Sequence, residues 1–362
     1  MKNLTLLALL ALSIASPAVA SSEAFLDKPY KNLPHPRMDL FNLADDNQRT
    51  KNDVVAVIGK QTSVKSQEAR GSCSIFSATA LLESLLLING KADAATLDLS
   101  EEWLQYLIAQ WATNDGSNSS RNFEQIHEHG MPAEAKLPYI GSTWKSLSDG
   151  KAKERCAHLT THRQANCLTG HRDPGLLFLA DEDLASDIQF LQARLDAKEF
   201  KRQFLTSEGA DASIYAGSTS EIKELLNAGI PLTLDFTFYY GAWNHRLAPE
   251  VGISRNMDHW AKGIVGYPEP GSVDRDRSSE KAAGHSVVVV GYDDEREVET
   301  TVQMSDGTTK TFKHKGVYYF KNSWGTESFG VDFEIDGVKY PGYGMITQDY
   351  ANEIGSFFRL AL

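Results

Sequence analysis

The chain has 362 residues, 41% of them hydrophobic and 23% charged, and a formal net charge of −12 at pH 7. That is an ordinary globular composition, long enough for about two domains of ~150 residues each. The negative balance argues against nucleic acid or an anionic membrane surface as a partner, and it leaves the chemistry open.

In chain order, Lys2, an apolar run over 4–14 and Ala18-Val19-Ala20 before Ser21 make the charge, hydrophobic core and small-residue site of a secretory signal. Residues 1–20 are therefore expected to be cleaved away, which removes Lys2 and leaves a charge of −13. The apolar run is shorter than the ~18 residues a membrane helix needs, and nothing later in the chain approaches that length. The expected product is a secreted, soluble monomer, extracellular or periplasmic.

Three cysteines occur, Cys73, Cys156 and Cys167, too few for a fold that depends on disulfides. An odd number in an exported chain leaves one thiol to explain. Cys156 and Cys167 are close enough in sequence to close a short disulfide loop, which makes Cys73 the odd one. Residues 64–86 read as a polar, glycine-containing turn followed by a helix with Phe76, Ala80, Leu81, Leu85 and Ile88 on one face. Cys73 then falls in the first turn, where unpaired N–H groups and the helix dipole stabilise a thiolate. Gln67 lies close enough to join the Cys73 backbone N–H around a developing oxyanion. Taken alone, Gln67 reads equally well as a loop residue and Cys73 as a small buried hydrophobe.

Gln67, Gly71-Ser72-Cys73, Phe76-Ser77-Ala78 and Glu83 resemble, in type and spacing, the active-site segment of papain-like cysteine peptidases. Leu99-Ser100-Glu101 resembles the start of that family's next helix. The segment 130–139, ending Leu137-Pro138-Tyr139, resembles its G-x-x-x-E-x-x-Y-P-Y turn.

Further on, Gly284-His285-Ser286 precedes the apolar β-branched run 287–290 and a turn at Gly291-Tyr292-Asp293, the pattern of a buried strand. A histidine at the mouth of such a strand is rigidly placed to take a thiol proton and return it to a leaving amine, although a lone histidine is more often structural. A second strand ends in Asn322-Ser323-Trp324-Gly325, where the Asn322 amide oxygen can orient the imidazole and Trp324 can shield that bond. This segment resembles the family's asparagine box. His259, in Asp258-His259-Trp260, is the rival base, but no apolar strand follows it.

The resemblance implies an α+β, two-lobed fold in a secreted, bacterial form of the family. A helical left lobe at 53–143 would carry Cys73, and a β-rich right lobe at 215–362 would carry His285 and Asn322. Peptide would lie between them near Gly116, Tyr139, Trp324 and the 233–245 segment, and no cofactor or metal is implied. The family signature places the histidine and asparagine ~130–150 residues after the cysteine. Here they follow at 212 and 249 residues, so 144–214 reads as an insertion.

That insertion holds the Cys156/Cys167 pair and a helix near 183–205 with Leu184, Ile188, Leu191 and Leu195 on one face. His158, His162 and His171 beside the cysteines leave a zinc site as the alternative to a disulfide. In the right lobe, 220–230 reads as a helix and 231–236 as a strand. The stretches 246–281 and 329–341 read as surface loops, and His127-Glu128-His129 as a solvated helix face.

Three features depart from the family. Ser74 follows the nucleophile where an aromatic is usual, the usual disulfides of the catalytic halves cannot form, and the N-terminal segment is short. Residues 21–52 read as a short pro-segment over the cleft or as a tail. The function implied is peptide hydrolysis through a Cys73 thioester, with acyl transfer, glutamine deamidation and a catalytically inactive binding role as alternatives.

Overall fold

The computed structural model describes residues 49–205 and 213–362. The expected signal at 1–20, and residues 21–48 of the expected pro-segment, lie outside the described residues. The helices are α1 (Val54–Ile58), α2 (Cys73–Ile88), α3 (Glu101–Ala109), α4 (Ser119–His129), α5 (Gly150–Cys156), α6 (Thr161–Gly170), α7 (Ile188–Phe204), α8 (Thr219–Asn227), α9 (Met257–Ala261), α10 (Val273–Arg277) and α11 (Gln348–Ile354). The strands are β1 (Ser213–Ala216), β2 (Leu232–Thr237), β3 (Ile264–Val265), β4 (Gly284–Gln303), β5 (Thr309–Lys321), β6 (Glu334–Ile335), β7 (Val338–Lys339), β8 (Tyr343–Thr347) and β9 (Gly355–Leu360).

The fold is α+β, with helices dominating the first part and strands the second. One sheet runs β1-β9-β2-β4-β5-β8-β3, antiparallel throughout except where β3 lies parallel to β8. The valine run of β4 shows how this sheet divides the core. Successive side chains of a strand point to opposite faces, so Val288 and Val290 join one hydrophobic cluster with the helices. Val287 and Val289 join another with Phe236, Trp243, Tyr318 and Phe320.

Helix α2 packs against β4, α3 and α4. It is buried on nearly every side rather than along the single stripe read from its sequence, because it lies between sheet and helices. Helix α7 also differs from expectation. Its buried face is Phe190, Ala193, Arg194, Ala197 and Phe200, while Ile188 and Leu195 are exposed. Small and aromatic side chains let α7 approach its neighbours closely, which the leucine pattern did not reveal. The helix and strand expected at 220–230 and 231–236 are α8 and β2. The turn at Asp336-Gly337 joins β6 to β7, and both residues have positive φ.

Residues 49–52 are clipped onto β4. Asp294 N–H donates to Thr50 O at 2.7 Å, and the Asn52 amide donates to Leu226 O and Val290 O and accepts from Tyr292 N–H. Gly291 permits this approach, since a Cβ there would sit 2.7 Å from Asn52 Oδ1.

Cys156 and Cys167 are joined in a disulfide, Cα to Cα 5.7 Å, among Trp144, Ala152 and Leu159. His171, one of the three histidines considered for zinc, is buried and bonded to Glu102 Oε1 at 2.8 Å. Glu102 belongs to a buried cluster centred on Arg70, whose side chain has no exposed surface. The Arg70 guanidinium meets Asp115 at 2.6 Å and Glu102 at 3.5 Å, and donates to Ile140 O and Thr169 O. Burial raises both carboxyls, but Arg70 for Asp115, and His171 with Arg70 for Glu102, outweigh it and hold both below the usual carboxylate range. Arg70 thus ties the loop before Cys73 to the 111–117 loop and to the end of α6.

Removing one partner from a buried ion pair typically costs about 3–5 kcal/mol, because the other charge stays buried and uncompensated. Arg70→Met is therefore expected to lower the unfolding free energy by about that much in urea titration. A loss below about 1 kcal/mol, the scale of an exposed pair, would show that the cluster contributes little.

Candidate active site

Cys73 opens α2 and is fully buried. The N-cap residue Ser72 makes no side-chain cap; its hydroxyl bonds instead to Tyr139 OH at 2.7 Å. Tyr139 also donates to Gln67 O and stacks edge-on against Phe76. One helical turn beyond Cys73, Ser77 Oγ lies 2.5 Å from Ser286 Oγ, the residue after His285. This bond pins the first turn of α2 to the first residues of β4, so Cys73 and His285 belong to the same junction.

His285 is placed by strand pairing, opposite Phe236 of β2. Its Nε2 meets Asn322 Oδ1 at 2.9 Å, an oxygen that also accepts the Ser323 N–H at 2.9 Å. Nδ1 is buried with no hydrogen-bond partner among the described residues. Trp324 stacks on the imidazole, centroids 4.7 Å apart, and Phe236, Phe238 and Trp243 turn edges toward it at 5.8, 5.9 and 5.2 Å. Burial in this aromatic box lowers His285 to about 3, with nearby His245 adding to the effect and the Asn322 bond opposing it. An imidazole so enclosed is neutral until an opposite charge forms beside it.

Gln67 is fully buried and spans the junction. Its backbone N–H donates to Ser323 O at 2.8 Å, and its Oε1 accepts from Ser323 Oγ and Trp324 Nε1 at 2.7 and 3.1 Å. Its Nε2 donates to Arg70 O at 2.7 Å, so one amide hydrogen serves the loop. Gly116, at φ +119, follows Asp115 and is thereby carried toward the cysteine loop by the Arg70 pair. His259 lies apart on α9, half-buried, its backbone N–H capped by Asn256 Oδ1. The structure therefore brings Gln67, His285, Asn322 and Trp324 together, pins the helix that Cys73 opens to the strand of His285 through Ser77 and Ser286, and leaves His259 beside a separate cavity.

Sequence reasoning missed Arg70, Trp243 and the Ser77–Ser286 bond. Ser77 stood inside a motif already noted. Arg70's partners Asp115, Ile140 and Thr169 lie 45, 70 and 99 residues away, so no local spacing announces them.

Residues 50–174 match the family model described as papain family cysteine protease, a stretch that includes Gln67 and Cys73 and ends before His285 and Asn322. Among curated proteins, the chain is 41% identical over 86 residues to cysteine proteinase 2 of Entamoeba histolytica. It is 39% identical over 96 residues to cysteine proteinase 1 of the same organism. Those stretches are 23% and 26% of this chain and 27% and 30% of the relatives, so the chain spans under a third of the curated proteins it matches. Among solved structures, xylellain, a cysteine protease from Xylella fastidiosa, aligns with a TM-score of 0.49 and 17% identity over 93% of this chain and 97% of that one. A recombinant stem bromelain precursor aligns with a TM-score of 0.42 and 15% identity over 88% and 74%. The two curated relatives and the family model share the description of cysteine protease, and the model match falls on the residues around Cys73.

Proposed function

We propose that the protein is a cysteine peptidase that hydrolyses peptide bonds through a thioester on Cys73. The observation that carries this reading is the His285–Asn322 bond beneath Trp324, which leaves Nδ1 buried and, among the described residues, unpartnered at the junction with the first turn of α2. With Nε2–H engaged by Asn322, Nδ1 is the nitrogen that takes the Cys73 proton. The imidazolium so formed is disfavoured by burial alone, and the thiolate beside it supplies the compensating charge.

Cys73 Sγ then attacks the peptide carbonyl. The oxyanion develops where the Cys73 backbone N–H and the Gln67 amide are the donors. His285 returns its proton to the leaving amine, the thioester remains, and water activated by the now neutral imidazole releases the acid. Asn322 holds one ring orientation through both half-reactions, and the aromatic box keeps water from competing for that bond. The substrate is peptide or protein, which Gly116 and Trp324 help to seat. A secretory signal at 1–20 directs the chain to export, and residues 21–52 restrain the enzyme as a pro-segment.

Cys73→Ala and His285→Ala are each expected to lower peptide-library cleavage by at least 10³-fold, with His259→Ala near wild type. Full activity in His285→Ala would end the assignment. Mass spectrometry of the products, with a primary amine present, separates hydrolysis from acyl transfer or deamidation. A chain beginning at Lys51 is expected to cleave faster than one beginning at Ser21, and equal rates would remove the pro-segment.

The lowered His285 also sets a pH dependence. Its folded value lies below the unfolded one near 6.5, so its contribution to stability is complete above pH ~6.5 and is lost as pH falls toward 3. In Cys73→Ala, where no thiolate can form, the His285 ring nitrogens are expected to show neutral-imidazole ¹⁵N shifts at pH 5. Imidazolium shifts there would contradict the enclosed, uncharged ring.

A further inference from the structure

The 246–281 stretch, read from sequence as a surface loop, builds the wall of a cavity of about 670 Å³ together with the outer parts of β4 and β5. That volume is within the range of ligand sites. Its walls are apolar at Ile253, Met257, Tyr267 and Val302, and its polar lining includes Arg255, Asn256, His259, Asp274 and Thr300.

Arg255 is held in place without being neutralised. Its Nε donates to Asn244 O at 2.7 Å and its guanidinium lies 5.3 Å over Trp260, yet it makes no ion pair among the described residues. The nearby carboxylates are committed elsewhere. Asp274 accepts from Gly241 N–H, Ala242 N–H and Ser278 Oγ, Asp258 pairs with Lys262, and Glu353 with Arg275 and Tyr267. Thr300 Oγ1 is buried without a hydrogen-bond partner among the described residues. Burial, with Arg246 nearby, lowers Arg255, as expected of a cation lacking a counter-charge.

The cavity is linked to the candidate active site by stacked rings. Trp324 lies on His285 at 4.7 Å, Trp260 on Trp324 at 5.7 Å, and Arg255 on Trp260 at 5.3 Å. An extended peptide advances ~3.3 Å per residue, so this ladder is about four to five residues long at most. The group that receives the His285 proton is the leaving amine, so the substrate residues after the cleaved bond lie on the side of His285 and this ladder.

We propose that Arg255 binds a carboxylate on the leaving side of the peptide, three to five residues beyond the cleaved bond. The carboxylate is either the peptide's own C-terminus or an Asp or Glu side chain. This rests on the peptidase reading. A guanidinium already immobilised against an indole loses little freedom on pairing, and the apolar walls strengthen the pair by excluding water.

The test uses the full chain with Cys73→Ala, so that binding is read without chemistry. Fluorescence anisotropy compares peptides of one sequence that carry, four residues past the cleavage point, a free C-terminal carboxylate, an amidated C-terminus, or an internal Glu or Gln. The expected result is roughly ten- to a hundredfold tighter binding of a carboxylate form over its neutral partner. That ratio should fall to near one with Arg255→Gln and remain partly with Arg255→Lys. The C-terminal and internal pairs tell the two sources of carboxylate apart. Equal binding of all four peptides, or a preference that survives Arg255→Gln in a variant with an unchanged melting temperature, overturns the proposal. If the wild type cleaves none of these peptides while the preference in binding persists, the peptidase reading fails and the carboxylate site stands.

Discussion

One buried amide joins the two parts of this molecule. Gln67 accepts from Ser323 and Trp324 on the strand side and donates to Arg70 on the helical side, while its own N–H reaches the Ser323 carbonyl. Each of these groups is buried, so none has water to fall back on, and the loss of the amide would strand several at once. Arg70 extends the constraint outward. Its carbonyl holds Gln67, and its guanidinium reaches Asp115, Ile140, Thr169 and Glu102. The shape of the loop before Cys73 is thus set from both directions.

The environment of His285 shows what such rigidity is for. Four aromatic rings surround the imidazole, and a flexible loop could not hold them at those distances. β2 brings Phe236 opposite His285 by register, and β5 leads into Asn322 and Trp324. The low dielectric around the ring makes charge expensive there, so its protonation state follows whatever charge stands beside it. Ser74, which departs from the papain-like pattern, is buried in the first turn of α2 with its carbonyl bonded to Ser77.

The residues of the candidate site were legible because each lies on an element with a local signature. Cys73 follows a glycine-containing turn, His285 opens a valine strand, and Asn322 closes another. β2, α8 and the pairing of Cys156 with Cys167 were equally local. What stayed hidden depends on distant partners. A helix buried on all sides looks, in sequence, like one with a stripe, and α7 uses alanines and phenylalanines rather than its more conspicuous leucines. The Arg70 cluster and the wall formed by 246–281 draw on residues from several parts of the chain, and no periodicity reports them. The N-terminal readings fall largely on residues 1–48, outside the described residues.

The clip between Asn52 and β4 has a bearing on time as well as shape. Its partners Val290 and Tyr292 lie 238 and 240 residues further along the chain, and Ser77 waits 209 residues for Ser286. Contacts of such sequence separation close late and slowly, and a ribosome delivers one partner long before the other. Cys73, at the start of the same helix as Ser77, is therefore made long before Ser286 is available. Only when the final strands pair is the candidate site assembled, so its geometry is complete no earlier than the fold itself.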